Sequence, residues 1–307
     1  MAYFEIKDTI LNAEAAINEI VAKVGSVTGY TATKVDATTF VVEGPEKEGQ
    51  RWAGKFVIAR SSSTRFYKMH TWLGEGLNGT DLINSSDQVA PELSSNNNKY
   101  HHHLLVFGAY TVLQLFVTSE CLIIRFKSAE SAVNEASYWR PMWVMAIGRS
   151  VPEFGGKVFP LMSTPQYREP SSSYYSNALG SFYEGKSGTT RNSAFLKHDA
   201  SGGKTWGYFG PGENGLYGYK SGSNPEIRFE PIAKKLHYAK SLTSVFLPIF
   251  IRHDGNVYGE MEGMRMTYLK YLSNGNTITY NSQDWLITST ASRPKAENNV
   301  LGFALKV

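Results

Sequence analysis

The sequence is poor in the features that staple or anchor a chain. It has a single cysteine, Cys121, among 307 residues, so no internal disulfide forms and stability must come from packing or assembly. Cys121 lies in an apolar stretch, Cys121 to Phe126, where a thiol acts as a small buried hydrophobe. The longest apolar runs, such as Leu104 to Phe107 and Val112 to Val117, fall far short of the ~20 residues needed to cross a bilayer as a helix. Like charges do not cluster: 31 basic and 27 acidic residues are spread along the chain for a formal charge of +4, which lends nucleic-acid binding no special support. The opening MAYFEIKDT has neither a basic segment followed by an apolar one nor a small-residue cleavage site. A soluble protein made in a cytoplasm is the expectation.

What is present points to strands. Hydrophobic residues make up 42% and charged residues 19%, a balance that suits a globular chain and neither a disordered tail nor a coiled coil. Aromatics reach 13%, with 18 Tyr, 16 Phe and 6 Trp beside 28 Gly, the mixture of strands joined by tight turns.

One helix is legible, over Asp8 to Val24, because Ile10, Ala13, Ile17, Ile20, Val21 and Val24 fall on one face at helical spacing. Asp8 or Thr9 is placed to cap it and Gly25 to end it. Strands are predicted over Tyr30 to Val35, Thr39 to Glu43, Trp52 to Arg60 and Phe66 to Leu73, each bounded by turn residues. Gly74 to Lys99 is polar and reads as an exposed loop or arm. Strand signals return in Tyr100 to Phe107, Tyr110 to Val117, Cys121 to Phe126 and Trp139 to Ile147, with a short helix over Lys127 to Ala136. Ser163 to Asn224 is rich in Ser, Gly, Tyr and Asn without a sustained period and reads as a long insertion. Beyond it, Leu242 to Arg252 and Val257 to Glu262 flank Asp254-Gly255, while Thr267 to Leu272 and Thr277 to Tyr280 flank Asn274-Gly275. Trp285 to Thr290 and Val300 to Lys306 close the series. The expected fold class is α+β, predominantly antiparallel β, with the N-terminal helix packed on a β-meander. Residues 1–162 hold the helix and an antiparallel sheet, and 163–307 the insertion and a C-terminal meander.

Each chemical motif lacks its context. His101, His102 and His103 invite a metal reading, but on a strand only His101 and His103 share a side, and no nearby Cys or carboxylate completes a tetrahedral set. GEGLNG (Gly74 to Gly79) and GPGENG (Gly210 to Gly215) match the dinucleotide glycine pattern without opening a helix, and SGGKT (Ser201 to Thr205) follows no buried strand. Glu260 and Glu262, two apart on a strand, face one way as an acid and base would, yet such pairs are ordinary on a hairpin. No catalytic residue, metal site or cofactor is expected. Trp206, Tyr208, Phe209, Tyr217 and Tyr219 suit sugar stacking or a protein partner, and equally a small core under a long loop. With His101 and His103 they are the candidate interface or ligand contacts.

Several features in order resemble a family of virion structural proteins of tailed bacteriophages, of neck, collar or baseplate type. They are the amphipathic helix, the strand opening in Tyr100 to His103, the Trp139 to Gly148 strand, Gly155-Gly156 and the variable insertion. The C-terminal SVFLPIFIRHDGNVYGEMEGMRM, NGNTITYNSQDWLI and GFALKV are similar to the family in more detail. Met145, Ala146, Ile147 and Gly148 depart from its usual aromatic-Gly-aromatic-Gly run. The resemblance implies a non-enzymatic building block assembled in the host cytoplasm, present in several copies as a ring and in contact with other tail, neck or baseplate proteins. A receptor- or glycan-binding module at the tail tip is the alternative, motivated by the aromatic cluster.

Overall fold

The structure is a computed structural model that describes residues 1–60, 67–86, 104–105, 107–108, 111–127, 142–151, 160–163, 193–198, 203–208, 215–216, 246–253, 256–268, 272, 275–289 and 301–307. Among these, one helix and twenty strands occur, and every strand pairing is antiparallel. The fold is thus predominantly β, as the composition implies. No helix of the described residues is long and apolar enough to cross a membrane.

The N-terminal half forms two facing sheets plugged by the helix. Strand β1 (Ala2–Ile6) precedes α1 (Ala13–Gly25), which is followed by β2 (Thr31–Lys34), β3 (Thr39–Glu43), β4 (Ala53–Arg60) and β5 (Tyr67–Gly74). A small hairpin, β6 (Leu77–Asn78) and β7 (Asp81–Leu82), leads on to β8 (Leu104–Leu105), and the first sheet runs β2-β3-β4-β5-β8. The opposing sheet begins β1-β9-β10-β11, with β9 at Val112–Val117, β10 at Cys121–Lys127 and β11 at Met142–Val151. Period-two alternation aims Phe40, Val42, Phe56 and Ile58 of one sheet, and Leu115, Val117, Leu122, Ile124, Met145 and Ile147 of the other, into one buried cluster. Phe40 and Phe56 stack with centroids 4.6 Å apart. Each such side chain contributes about 1.5–3 kcal/mol by leaving water.

Helix α1 completes this core with Ile17, Ile20 and Val24 and touches β2, β3 and β9, so it contacts both sheets. Its start differs from the sequence expectation. Asn12 is the cap, its side-chain oxygen accepting from the Ala15 N–H at 2.8 Å, while Asp8 sits in the left-handed region at φ 65 within the link from β1. β1 occupies residues 2–6, so the chain turns before it can begin a helix. The polar helix face is tied down by Lys34 of β2, which donates to Glu14 Oε1 at 2.5 Å and Asn18 Oδ1 at 3.0 Å.

The second sheet continues into the C-terminal half. One branch is β12 (Pro160–Ser163), β13 (Ser193–His198) and β14 (Lys204–Tyr208). The other is built on β17 (Asn256–Tyr268), flanked on one side by β16 (Leu247–His253) and β15 (Gly215–Leu216). On its other side lie β20 (Leu301–Lys306), β19 (Gln283–Ser289) and β18 (Thr277–Tyr280). The His253↔Asn256 pair flanks the Asp254-Gly255 hairpin expected from sequence. The second expected hairpin is corrected: β17 is one continuous strand to Tyr268, and β18 pairs with β19. Their turn is Asn281-Ser282, with φ 51 and 58, the two positive values that a type I′ turn requires.

Candidate functional site at the fork of the sheet

Both branches leave from β11. Cys121 to Lys127 of β10 pair with Gly148 to Met142, β12 pairs with Ala146 to Arg149, and β17 takes over at Ser150 and Val151. A strand that must serve several partners needs its ends fixed, and the most concentrated set of buried polar side chains described lies at this point.

Arg149 continues the inward parity of Met145 and Ile147, which carries its guanidinium to the end of the core with a side chain only 1% exposed. There Nη1 donates to the Gln50 carbonyl at 3.0 Å and Nη2 donates to the Pro45 carbonyl, so Arg149 holds the β3–β4 loop of the opposing sheet. Its Nε lies 3.3 Å from Glu120 Oε2, an ion pair without hydrogen-bond alignment, while Glu120 Oε1 accepts from Lys47 Nζ at 2.9 Å. Burial lowers the Arg149 pKa, and Glu120 opposes that shift.

The β9–β10 turn supplies the other half of the junction. Thr118 Oγ1 accepts from the Glu120 and Cys121 amides at 3.1 and 3.0 Å and donates to Glu262 Oε2 at 2.6 Å. Cys121 Sγ donates to the Glu262 carbonyl at 3.1 Å, and the Tyr30 hydroxyl to the Thr118 carbonyl at 3.0 Å. Burial pushes the Cys121 thiol up to about 12 and raises the Tyr30 phenol as well, so at neutral pH both keep the protons they donate. Gly148 faces this turn across the sheet; a Cβ there would overlap the Glu120 carbonyl and the Cys121 Cα. Taken together these groups clasp three segments, the β3–β4 loop, the β9–β10 turn and β17, through hydrogen bonds to the backbone and to each other and the Arg149–Glu120 ion pair.

A second polar row crosses the other face of the same sheet. Glu5, Gln114 and Arg125 are register neighbours, with Gln114 Nε2 donating to Glu5 Oε2 at 2.6 Å and to the Tyr3 hydroxyl at 3.0 Å, and Arg125 Nη1 donating to Gln114 Oε1. Burial lowers Arg125 to about 10 and raises Tyr3 to about 12. Phe116 and Ile123 beside them are fully buried, so β9 and β10 have both faces covered.

Of the candidates read from sequence, the structure places Trp206 on β14, half-buried against the sandwich core, with Nε1 donating to the Asn84 carbonyl at 3.0 Å. Lys204 on the same strand pairs with Glu75, which fastens β14 to the segment around the β6–β7 hairpin. Tyr208 ends β14, and His101, His103, Phe209, Tyr217 and Tyr219 lie outside the described residues. The GEGLNG glycines bracket the end of β5 and strand β6 rather than a helix N-terminus. Glu260 and Glu262 part company: Glu260 is buried and paired with Arg265 at 3.0 Å, and Glu262 serves Thr118. Among the described residues no group of three or more His, Cys, Asp or Glu could hold a metal ion.

The junction was missed from sequence. Its signal was parity: Arg149 sits two residues beyond Ile147 on the core face of an apolar strand, as Arg125 and Gln114 sit within apolar runs. No protein-family model matches the chain, and no curated protein matches it.

Proposed function

We propose that this chain is a structural subunit of a tailed-phage virion, a neck, collar or baseplate component that assembles in the host cytoplasm and acts by gripping copies of itself and neighbouring tail proteins. The observation that carries the reading is the architecture of the forked sheet. Its buried ionic groups hold strands together, and the strands that end its described path and branches, β1, β14, β15 and β18, pair on one side within the described residues. Strand edges of this kind are templates for pairing with another chain, and head-to-tail pairing between copies closes into a ring when the rotation allows it. On β18, Thr277, Thr279 and Tyr280 are exposed, Tyr280 by 49%, which suits a contact strand more than a core one. The resemblance of the sequence layout to tailed-phage virion proteins supports the same reading.

Native mass spectrometry of the purified chain tests it. A discrete oligomer of fixed copy number is expected. A monomer at micromolar concentration that also turns over a substrate would overturn it.

A further inference from the structure

We infer that Asn78 is a self-modification site, at which the Gly79 backbone nitrogen attacks the Asn78 side-chain amide and converts the residue to aspartate and isoaspartate with water as the co-reactant. This goes beyond the assembly reading and stands without it.

The sequence offers three candidates, Asn78-Gly79, Asn214-Gly215 and Asn274-Gly275. In each, the following glycine has no Cβ to crowd the ring that must close, and its backbone turns freely. Sequence alone does not rank them. They are ranked by the glycine that supplies the attacking nitrogen. Gly275 donates its N–H to the Ile287 carbonyl at 2.8 Å, and Gly215 is a ladder residue of β15 opposite Arg252 of β16. Turning either nitrogen onto a side chain first breaks a hydrogen bond or a strand pairing. Asn214 and Asn274 themselves lie outside the described residues.

Gly79 is placed otherwise. With Thr80 it forms the two-residue loop between β6 and β7, and Asn78 and Asp81 are the pair that closes the hairpin. Its φ is 64, and a Cβ built on it would meet nothing within 4 Å. Asn78 and Gly79 are both exposed, and among the described residues the Gly79 N–H donates no hydrogen bond. Solvent base therefore reaches a nitrogen that no acceptor holds. Asn281-Ser282 is also exposed, but Ser282 carries the Cβ that Gly79 lacks.

No redox partner is needed. The Gly79 nitrogen gives its proton to solvent base and bonds to Asn78 Cγ, while the bond from Cγ to the side-chain nitrogen breaks and that nitrogen leaves as ammonia. The cyclic imide then adds water at either carbonyl. Breaking the new bond to Cγ leaves aspartate in the original main chain, and breaking the original peptide bond leaves isoaspartate, with the main chain rerouted through the side chain. Both products set a carboxylate across from Asp81, and like charges directly opposite one another weaken a strand pair. Isoaspartate also shifts the alternation of β6, whose Leu77 N–H donates to Glu43 Oε1 at 2.9 Å.

Peptide mapping by mass spectrometry on the full chain, aged at about pH 9 to favour loss of the amide proton, tests the assignment. The native Asn78 peptide should gain about 1 Da, amide to acid, ahead of the Asn214 and Asn274 peptides. Its rate should exceed theirs about tenfold, the factor expected when a backbone hydrogen bond must break first. In urea that unfolds the chain the three rates should converge. Asn78→Gln, which would have to close a larger ring, should stay unmodified at that position over the same period. Native conversion at Asn214 or Asn274 as fast as at Asn78, no conversion at Asn78, or an undiminished excess in urea would each overturn the proposal.

Discussion

The sandwich and the C-terminal sheet, β15 to β20, use the same strand patterning and differ in how evenly they cover it. In the sandwich, two sheets and a helix converge on one core, and the interior strands β9 and β10 are covered on both faces, with Phe116 and Ile123 buried behind Leu115 and Ile124. In the C-terminal sheet, the edge strand β18 shows mostly exposed side chains, whereas Trp285 to Thr288 of β19 and Phe303 to Leu305 of β20 are buried without a break. Alternation alone decides that a segment is a strand; the number of layers stacked on it decides how much it contributes. An edge strand with exposed side chains opens at lower free energy than an interior strand covered on both faces.

The largest effect expected from this contrast is on the reactivity of Cys121, which lies where β17 of the C-terminal sheet meets the β9–β10 turn. With its pKa raised by burial from 9.0 to about 12, the native thiol holds roughly a thousandfold less thiolate than a free one at pH 8. The sign follows from burial favouring the neutral form: protection is complete below pH 9 and fades as pH rises toward 12. Labelling by a disulfide reagent at pH 8 should therefore proceed only through opening. If the C-terminal sheet opens before the sandwich, the labelling rate at low denaturant should exceed that of global unfolding. A rate equal to global unfolding would erase the distinction between the regions.

Next in size is Arg149→Met. It strands the Pro45 and Gln50 carbonyls and the Glu120 carboxylate in the interior, at a cost of about 3 kcal/mol by urea titration, because breaking one side of a buried ionic cluster leaves the rest uncompensated. A loss below about 1 kcal/mol would show that the fork does not depend on this clasp. The smallest is Asn12→Ala, which removes the cap of α1 and should lower stability by about 1 kcal/mol. Because the helix touches β2, β3 and β9, faster exchange should appear in the sandwich and leave residues 283–289 unchanged.

The fold was legible where local chemistry and tertiary context agree. Thr39 to Glu43 and the strand pairing around Asp254-Gly255 were read correctly, since β-branched and aromatic runs met strong turn residues at their ends. The helix start was misread because Asp8, Thr9 and Asn12 are all competent caps, and only the presence of β1 in front decides among them. The Asn274-Gly275 dipeptide misled, since the working hairpin turns on Asn281-Ser282, a pair whose positive φ values are held by the Tyr280↔Gln283 pairing around it. The site was less legible than the fold. Aromatic and glycine-rich motifs drew attention to the insertion, whereas the clasp is built from Tyr30, Lys47, Thr118, Glu120, Arg149 and Glu262, unremarkable residues far apart in sequence. Burial is a tertiary property, and for Arg149 only strand parity hinted at it.

The assembly reading makes one direct demand on the particle. On the proposed reading, quantitative mass spectrometry of purified virions should find this chain in a fixed multiple of the tail-tube and baseplate proteins. Its absence from finished particles would contradict the account.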